Sequence, residues 1–570
     1  MLLPALYNIV EICVQKGIKT VIISPGSRSA PLTLAFARHK RIKSFIVPDE
    51  RCAAFIALGI AQTAKQTVAL LCTSGSASLN YAPAIAEAYF QEVPLLILTA
   101  DRPPEWIDQQ DGQTIRQRNI YQNHCKASFE LPVDYQHPDS VWHINRIVNE
   151  AINLTQHGQT QPVHINIPIR EPFYPEEGEE VFFDENVRII HQIRTVTNPA
   201  QIDWQHLMEI EETCQKQLIV VGQTPMNSVL LNTLPQIERK GIFRIPIVAD
   251  LIGNAYSFGK TISHHDLILM KNDEQLKKAL QPDLLITIGK SVLSKALKEF
   301  LRKYPPRYHW HFQEFGQAPD TFRSLTHLLP ISPEKGLEYY LSYTRKKIQK
   351  DDYFKLWLAE ELKAETFLVD FFKKQEVFGE FAAMWAIMQN LPENSFLHLA
   401  NSMPVRYANY LSLAPEKNIE VFANRGTSGI DGSNSTALGS AIATDKIVTL
   451  ITGDMAFLYD RNAFWHNHLP ENLRVVVLNN FGGGIFRLLP DSSKLPELDT
   501  FFETKQYSTA KQVAEEFGLE YVLVQNQVEL HKALEKFFQV STTPKILEIQ
   551  SQSIENQSFF EIFKKEWLKF

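Results

Sequence analysis

Two polar dipeptides, each at the end of an apolar segment, most strongly constrain how this chain folds. Gly453-Asp454 follows the apolar, β-rich run 446–452, and Asn479-Asn480 follows a second such run, 473–478. The residues between them, 459–468, predict a helix, so the segment is a βαβ unit with parallel, neighbouring strands. Asp454 and Asn480 should therefore lie together at the carboxyl edge of a sheet, where open α/β sheets bind ligands.

The side chains at this edge are suited to a divalent cation. Asp454 contributes a carboxylate and Asn480 an amide oxygen, while Gly482 can offer a backbone carbonyl because it has no side chain in the way. Three hard oxygens suit Mg²⁺, which keeps further positions for phosphate oxygens and water. A helix-capping Asp or an ordinary glycine-rich loop explains either half alone, but the two together favour a metal-bridged diphosphate.

The spacing of these residues resembles the cofactor motif of thiamine-diphosphate (ThDP) enzymes of the pyruvate-decarboxylase-like superfamily. Two details depart from that pattern. Met455 stands where the superfamily usually has glycine, and Asn480 follows Asp454 by 26 residues, one fewer than usual. The resemblance implies that Asp454, Asn480 and Gly482 ligate Mg²⁺, or Mn²⁺ in its place, and that Asp454 and Asn480 hold the ThDP diphosphate.

The rest of the chain alternates apolar strands with helices, which predicts parallel sheets covered by helices on both faces. We expect an α/β protein with three such domains, because 570 residues exceed what one hydrophobic core supports. The resemblance assigns residues 1–180 to a pyrimidine-binding ThDP domain, 195–345 to a central α/β domain and 353–570 to a diphosphate-binding ThDP domain. The predicted boundaries are a proline-rich linker, 168–199, and a charged segment, 345–352.

Individual elements can be predicted within each domain. In the first, strands are expected at 20–23, 44–47, 67–71 and 94–99, with helices at 30–39, 52–64 and 80–90. In the second, strands are expected at 217–221, 243–248 and 284–288. In the third, a long helix near Tyr353 precedes strands at 396–400 and 420–423.

Charge and cysteine usage narrow the classes of function. A net charge of −7 argues against non-specific nucleic-acid binding. The five cysteines show no metal-ligand spacing and are typical of reduced, mostly buried thiols in a cytosolic protein. The N-terminus lacks the basic segment of a signal peptide, and no apolar run is long enough to span a bilayer. We therefore expect a cytoplasmic protein without nucleic-acid or membrane partners.

Glu50 lies at a predicted strand-to-helix junction, in Asp49-Glu-Arg-Cys-Ala-Ala54. From the residues alone, an acid that favours the helix dipole and pairs with Arg51 is a sufficient explanation. The resemblance implies a different role, because ThDP enzymes carry a glutamate here that contacts N1′ of the aminopyrimidine. Proton exchange at N1′ allows N4′ to deprotonate the thiazolium carbon. Glu50 is therefore expected to act as the catalytic acid–base residue.

Four arginines follow predicted strands and indicate the charge of the substrate. They are Arg28, Arg102, Arg406 and Arg425. Guanidinium groups hold carboxylates through paired hydrogen bonds. A local basic pocket in a protein of net charge −7 predicts polyanionic acids as substrates rather than a simple keto acid such as pyruvate.

Several segments together are similar to one ThDP family. These are Ser24–Leu34, Thr99–Glu105, Gly112–Gln117, Asn401-Ser402, Asn424–Gly432 and Gly483–Pro490. The family is 2-succinyl-5-enolpyruvyl-6-hydroxy-3-cyclohexene-1-carboxylate (SEPHCHC) synthase, of menaquinone biosynthesis. The central domain is similar chiefly at Gly289–Lys295. Gly112 stands where some members have Asn, and Ala296 where others have Arg.

The resemblance implies that 2-oxoglutarate is decarboxylated and that its succinyl unit adds to isochorismate. It places Asn401, Arg406 and Arg425 at the first substrate, and Ser402 near the diphosphate. The second substrate and the reaction intermediate are assigned to Ser27, Arg28, Arg102, Gln113 and Lys295. Ile485, Phe486 and Leu489 form the apolar wall, with Ile485 under the bent cofactor.

The same resemblance implies that the active site lies between two copies of the chain. In ThDP enzymes of this type, the two domains that share one cofactor belong to different subunits. We therefore expect a homodimer or homotetramer, in which Glu50 of one copy faces Asp454 of another.

Other functions remain open from the sequence. An acetolactate-synthase relative would carry FAD, and a simple 2-oxo acid decarboxylase would release an aldehyde without an acceptor. A scaffold without catalysis would not need Glu50, Asp454 and Asn480 together. A dinucleotide oxidoreductase is disfavoured because no G-x-G-x-x-G stands between a strand and a helix.

Overall fold

The computed structural model describes residues 4–175, 181–193, 198–226, 245–258, 260–344, 352–489 and 491–570. The described strands form three sheets, and we call each sheet with its helices a unit: first, central and third. The first sheet has β1 (Thr20–Ile23), β2 (Lys43–Ile46), β3 (Val68–Cys72), β4 (Leu95–Asp101), β5 (Ala127–Glu130) and β6 (Val163–Pro168). The central sheet has β7 (Gln217–Val221), β8 (Ile247–Ala249), β9 (Leu284–Ile288), β10 (Tyr308–Phe312) and β11 (His327–Leu329). The third has β12 (Phe396–Leu399), β13 (Glu420–Phe422), β14 (Val448–Gly453), β15 (Leu473–Asn479), β16 (Glu520–Val524) and β17 (Lys545–Gln550).

The α-helices of the described residues follow the strands in alternation. The first unit contains α1 (Pro4–Gln15), α2 (Ala30–Arg38), α3 (Glu50–Ala64), α4 (Ser76–Asn80), α5 (Ala82–Gln91) and α6 (Pro138–Gln156). The central unit contains α7 (Trp204–Glu212), α8 (His265–Met270), α9 (Glu274–Leu280), α10 (Lys295–Lys303) and α11 (Pro333–Thr344). The third contains α12 (Asp352–Lys374), α13 (Glu380–Asn390), α14 (Met403–Leu411), α15 (Ser433–Ile442), α16 (Asp454–Tyr459), α17 (Ile485–Leu488), α18 (Ala510–Phe517), α19 (Gln527–Phe537) and α20 (Ser553–Trp567).

The first and third sheets have the same strand order. The first runs β2-β1-β3-β4-β6-β5 and the third β13-β12-β14-β15-β17-β16, while the central sheet runs β11-β10-β9-β7-β8. Every described strand pair is parallel. In the third sheet the strand order reverses between β12 and β14, so a ligand crevice is expected there. The predicted α/β class with parallel sheets is confirmed.

Helices cover both faces of the sheets, as the apolar strands predicted. In β3, Val68 and Leu70 pack into a core that contains α3, whereas Ala69 and Leu71 pack into one that contains α1. Because successive side chains of a strand point to opposite faces, a strand apolar at every position must be buried on both.

The first and third units pack directly against each other through α3 and α15. A Cβ atom at Gly59 of α3 would lie 2.0 Å from the backbone oxygen of Thr436 on α15. Only a residue without a side chain allows the two helix backbones to approach so closely. The same apolar core contains residues from both sheets, so the two units form one continuous packed body.

The predicted helix at 459–468 is wrong. The helix after β14 is α16, which starts at Asp454 itself and ends at Tyr459, and a short 3-10 helix, Arg461–Phe464, follows. The buried carboxylate of Asp460 accepts hydrogen bonds from the backbone N–H and hydroxyl of Ser435. These bonds tie the chain to α15 at the point where the sequence alone suggested that a helix begins.

Other elements shift by a few residues or lie partly outside the described residues. The strand predicted at 243–248 is observed as Ile247–Ala249, and positions 243 and 244 are outside the described range. Of the predicted linker, residues 176–180 and 194–197 are not described, and 168 ends β6. Of the predicted charged segment, 345–351 are not described, and Asp352 starts α12.

The long helix α12 joins the central and third units. Near its start, Trp357 packs into a core of the central unit, and farther along Phe367 and Phe371 pack into the core of the third. The division at residue 353 therefore remains a prediction. Among the described residues, no helix combines the length and the apolar character needed to cross a membrane. All five cysteines are free and buried, as predicted.

Candidate active site

Asp454 and Asn480 lie side by side at the carboxyl edge of the third sheet. β14 and β15 pair with Gly453 opposite Leu478, so the two residues that follow these strands emerge together. Asp454 is buried, and one of its carboxylate oxygens accepts from the backbone N–H of Met455 at 2.9 Å. Burial, with a smaller contribution from the negative charge of Glu380, raises the pKa of Asp454 to about 7. A buried carboxylate of this kind is stabilised by a nearby cation.

Glu380, the first residue of α13, fixes the orientation of the Asn480 amide. The Nδ2 atom of Asn480 donates to Oε1 of Glu380 at 2.6 Å. Because a carboxylate oxygen accepts here, the amide nitrogen must face Glu380, and Oδ1 faces the other way. Among the described residues no donor reaches this buried Oδ1.

The arrangement of Asp454 and Asn480 fits a divalent cation. A buried acceptor without a partner costs about 1–3 kcal/mol, which a metal–oxygen bond would offset. The backbone N–H of Gly482 lies against Asp454, which places this predicted ligand at the same edge. The sequence prediction missed Glu380. A lone acid in the apolar run Phe378–Met384 was the signal that could have identified it.

Strained backbone marks the ends of two strands at this edge. Ser402, after β12, has φ 77°, and Phe481, after β15, has φ 63°. Residues other than glycine rarely adopt positive φ, and such strain concentrates at functional sites. Ser402 also precedes α14, whose N-terminal N–H groups favour anions. The position of Ser402 near a diphosphate remains a prediction.

Glu50 begins α3, directly after the capping residue Asp49, whose side chain accepts from the N–H of Cys52. Its carboxylate is half-buried in one chain and meets Nδ2 of Asn80 at 3.5 Å. Arg51 is not its partner, because the Arg51 guanidinium donates to the backbone oxygen of Tyr459 at 2.9 Å. The explanation of Glu50 as half of a local ion pair is therefore wrong.

Arg406 and Arg425 lie close together at the third sheet. Partial burial and the positive charge of Arg406 lower the pKa of Arg425. Two guanidinium groups this close are stabilised by an anion. Arg425 donates to Oδ1 of Asn401 at 2.7 Å, and Asn401 donates to the backbone oxygens of Asn424 and Gly429. Asn401 thus ties the loop to the end of β12 and orients Arg425.

A cavity of about 570 Å³ brings residues of the central and third units together. Three predicted site residues line it: Lys295 at the start of α10, Arg406 on α14 and Leu489. Lys295 is strongly exposed and pairs with Glu299 at 3.5 Å. The sequence could not place Lys295 beside Arg406, because 111 residues separate them along the chain.

A buried polar network holds these two residues together. Asp250 accepts from Nε2 of His265 at 3.2 Å, from the N–H of Ser294 at 3.2 Å and from Nδ2 of Asn409 at 3.3 Å. The same Asn409 amide donates to Asp266 at 2.8 Å. Ser294 directly precedes Lys295, and Asn409 is on the same helix as Arg406, so the network fixes α10 against α14.

This network predicts a pH dependence of stability. Burial lowers the pKa of His265, but the hydrogen bond to Asp250 and the charges of Asp266, Asp250 and Glu361 outweigh it and raise the pKa to about 8. The stabilisation is therefore present below the unfolded pKa of about 6.5 and is lost as the pH rises through about 8. We expect the free energy of unfolding to fall by about 2 kcal/mol across this window.

Urea unfolding at two pH values, one on each side of the window, measures this effect. His265→Gln should remove most of the fall, whereas His206→Gln, an exposed histidine on α7, should leave it unchanged. An equal fall in wild type and His265→Gln would show that His265 does not carry the effect.

The remaining predicted residues form a second basic site, in the first unit. Arg28 is buried, donates to the backbone oxygen of Ile169 at 2.8 Å and stacks 4.4 Å from the centre of the Phe173 ring. Burial and the charge of Arg102 lower its pKa, so these two arginines are also neighbours. Arg102 donates to the backbone oxygen of Gly112, next to Gln113. Ser27 and Gln113 are exposed beside them.

The predicted apolar wall lies in and after α17. Ile485 packs against the core of the third unit, and the rings of Phe486 and Phe502 are 5.6 Å apart. Leu489 is 44% exposed, a large fraction for leucine. Exposed apolar side chains beside a cavity are typical of a surface that a ligand or another chain covers.

Comparison with known proteins is consistent with this geometry. Residues 7–125 match the family model "Thiamine pyrophosphate enzyme, N-terminal TPP binding domain", and residues 403–549 match "Thiamine pyrophosphate enzyme, C-terminal TPP binding domain". A relative from Cytophaga hutchinsonii is 46% identical over 565 residues, 99% of each chain. A relative from Flavobacterium johnsoniae is 37% identical over 98% of each chain. A relative from Bacteroides thetaiotaomicron is 36% identical over 92% of this chain and 91% of its own. All three are named 2-succinyl-5-enolpyruvyl-6-hydroxy-3-cyclohexene-1-carboxylate synthase.

Proposed function

This chain belongs to the SEPHCHC synthase family, and on that premise we propose that it uses ThDP and Mg²⁺ to decarboxylate 2-oxoglutarate and add the succinyl unit to isochorismate. The observation that carries the proposal is the pairing of a buried Asp454 with the unpartnered Oδ1 of Asn480 at the edge of the third sheet. ThDP, when bound at this edge, would supply the carbon nucleophile and the electron sink that decarboxylation of a 2-oxo acid requires.

The chain's own residues bind and orient the reactants. Asp454, Asn480 and Gly482 would hold the cation, and Ser402, at the start of α14, would bind the diphosphate. Glu50 moves a proton at N1′ of the aminopyrimidine. Arg406 and Arg425 bind the carboxylates of 2-oxoglutarate, and the hydrogen bond from Arg425 to Asn401 orients the Arg425 guanidinium.

The acceptor has its own basic residues. Arg28 and Arg102, with Ser27 and Gln113, hold the carboxylates of isochorismate from the first unit, and Lys295 does so from the central unit. Ile485, Phe486 and Leu489 line the apolar side of the site. The same ligands would accept Mn²⁺ in place of Mg²⁺, because both ions prefer hard oxygens.

We further propose that the active site is shared between two copies, as a homodimer or as pairs within a homotetramer. In one chain Glu50 and Asp454 have separate partners, Asn80 and Met455. The basic residues of the first unit and those of the third likewise form two sets within one chain. In a dimer, Glu50 and the basic residues of the first unit of one copy would face Asp454 and the basic residues of the third unit of the other.

The direct test of the reaction supplies 2-oxoglutarate, isochorismate, ThDP and Mg²⁺, with product identification by mass spectrometry. The expected product contains the succinyl unit joined to the isochorismate ring. Aldehyde without a joined product would instead indicate a simple decarboxylase, and a yellow protein with bound FAD would favour an acetolactate-synthase relative.

Arg406→Ala tests the assignment of the first substrate. Hydrogen bonds between charged groups are worth about 1.5–3 kcal/mol, so the 2-oxoglutarate concentration for half-maximal rate should rise about 10–100-fold. The isochorismate requirement should change much less. Steady-state kinetics with each substrate varied in turn measures both, and Arg146→Ala, on the exposed face of α6, is the control. Equal increases for both substrates would remove the assignment.

A further inference from the structure

A buried acid of the first unit holds the loop that carries Arg425. Glu87 is on α5 and is 1% exposed. Its Oε1 accepts from the backbone N–H of Gly426 at 2.7 Å, and its Oε2 accepts from the N–H and the hydroxyl of Thr427, each at 2.6 Å. The two residues directly after Arg425 are therefore bound by one carboxylate from a different unit.

The central unit meets the same loop. Nε2 of Gln91, one turn after Glu87, donates to Glu87 and to the backbone oxygen of Ala423. Gln223, which follows β7, donates to the same Ala423 oxygen at 2.8 Å and to Oε1 of Gln91 at 3.1 Å. All three units thus contribute hydrogen bonds around one loop of the third sheet.

These hydrogen bonds fix the backbone on both sides of Arg425, at Ala423, Gly426 and Thr427. The Arg425 side chain donates to Asn401, and its buried Nε atom has no partner among the described residues. A guanidinium that is already oriented binds a carboxylate more tightly. A mobile loop would lose conformational entropy when the ligand binds, and that loss weakens binding. Bonds to an ionised carboxylate are stronger than neutral ones and suit this purpose.

We propose that Glu87 is a positioning residue, which sets the direction of Arg425 and thereby the preference for a 2-oxo acid with a second carboxylate. The inference rests on the proposed function, since it assigns that carboxylate to the Arg406 and Arg425 pair. The preference for a second carboxylate then depends on Glu87, an acid of the first unit that acts through the Arg425 loop and not by contact with the substrate.

Glu87→Gln tests the proposal. Glutamine keeps the size of the side chain but replaces one acceptor oxygen with an amide nitrogen, which cannot accept from a backbone N–H. The measured quantity is the ratio of kcat/KM for 2-oxoglutarate to that for 2-oxopentanoate, which has a methyl group in place of the distal carboxylate. We expect this ratio to fall about tenfold, while the Kd for ThDP with Mg²⁺ stays unchanged.

Glu92→Gln is the matched control. Glu92 directly follows α5, and its charge pairs with Lys290 of the central unit at 3.0 Å rather than with the Arg425 loop. The ratio should stay at its wild-type value in this variant. Thr427→Ala removes only the hydroxyl bond to Glu87, so it should produce a smaller fall in the same direction even if Glu87→Gln folds poorly.

Hydrogen exchange of the amides of residues 424–428 gives a readout that does not depend on turnover. Exchange should be faster in Glu87→Gln than in wild type and unchanged in Glu92→Gln. Unchanged exchange in Glu87→Gln would overturn the proposal. Faster exchange with an unchanged ratio of kcat/KM for the two 2-oxo acids would also overturn it. A wild-type protein that does not consume 2-oxoglutarate would remove the proposed function and the selectivity step, while the exchange data would still report whether Glu87 holds the loop.

Discussion

Asp454→Ala should abolish metal-dependent binding of ThDP. Asp454 is the only charged group among the three predicted metal ligands, and its buried carboxylate has few other partners. Loss of a residue that merely supports a ligand costs about 10–100-fold in metal affinity, so loss of the charged ligand itself should cost at least about 100-fold. Isothermal titration calorimetry with ThDP, with Mg²⁺ and with a chelator, measures the change.

The control for this experiment is Asp445→Ala, because Asp445 is exposed and precedes β14 at the opposite edge of the sheet. This variant should bind ThDP as the wild type does, and only when Mg²⁺ is present. Tight binding by Asp454→Ala, or binding by the wild type that a chelator leaves unaffected, would contradict the assigned metal site.

Glu50→Gln should bind ThDP and lose turnover. Glutamine keeps a hydrogen-bonding group at the start of α3 but cannot exchange a proton with N1′. Loss of a general acid–base group typically costs about 10²–10⁴-fold in rate, and we expect a fall in kcat of that size. The Kd for ThDP with Mg²⁺ should change little by comparison, because the proposed ligands of the cation and the diphosphate are Asp454 and Asn480 rather than Glu50.

Two measurements separate catalysis from folding in this variant. Calorimetry reports cofactor binding, and product formation at saturating substrates reports kcat. Glu150→Gln, an exposed acid on α6, should match the wild type in both. Undiminished kcat in Glu50→Gln would exclude the acid–base role.

Local sequence was enough to predict much of the fold and the pairing of Asp454 with Asn480 at one sheet edge. Apolar runs predicted strands at 20–23, 217–221 and 284–288 with the observed bounds, because strands buried on both faces carry an unbroken apolar signal. Asp454 and Asn480 could be paired because each directly follows such a strand and parallel neighbours end at the same edge.

Long-range partners could not be predicted in this way. Glu380 precedes Asn480 by 100 residues, and Glu87 precedes Gly426 by 339, so no spacing rule connects them. The helix expected at 459–468 was wrong for the same reason, since Asp460 bonds to Ser435 on another helix. Sequence patterns report which face of an element is apolar, whereas these contacts depend on how the units pack.

We propose that Glu50 of one copy and Asp454 of another serve the same cofactor. Its most direct test is co-expression of Glu50→Gln and Asp454→Ala chains with different affinity tags, followed by purification of the mixed assembly. Each variant alone should be inactive, but in the mixed dimer one site would contain both substitutions and the other neither. We therefore expect about half of the wild-type activity per dimer. A mixed dimer as inactive as its two parents would show that both residues act within one chain and would contradict the account.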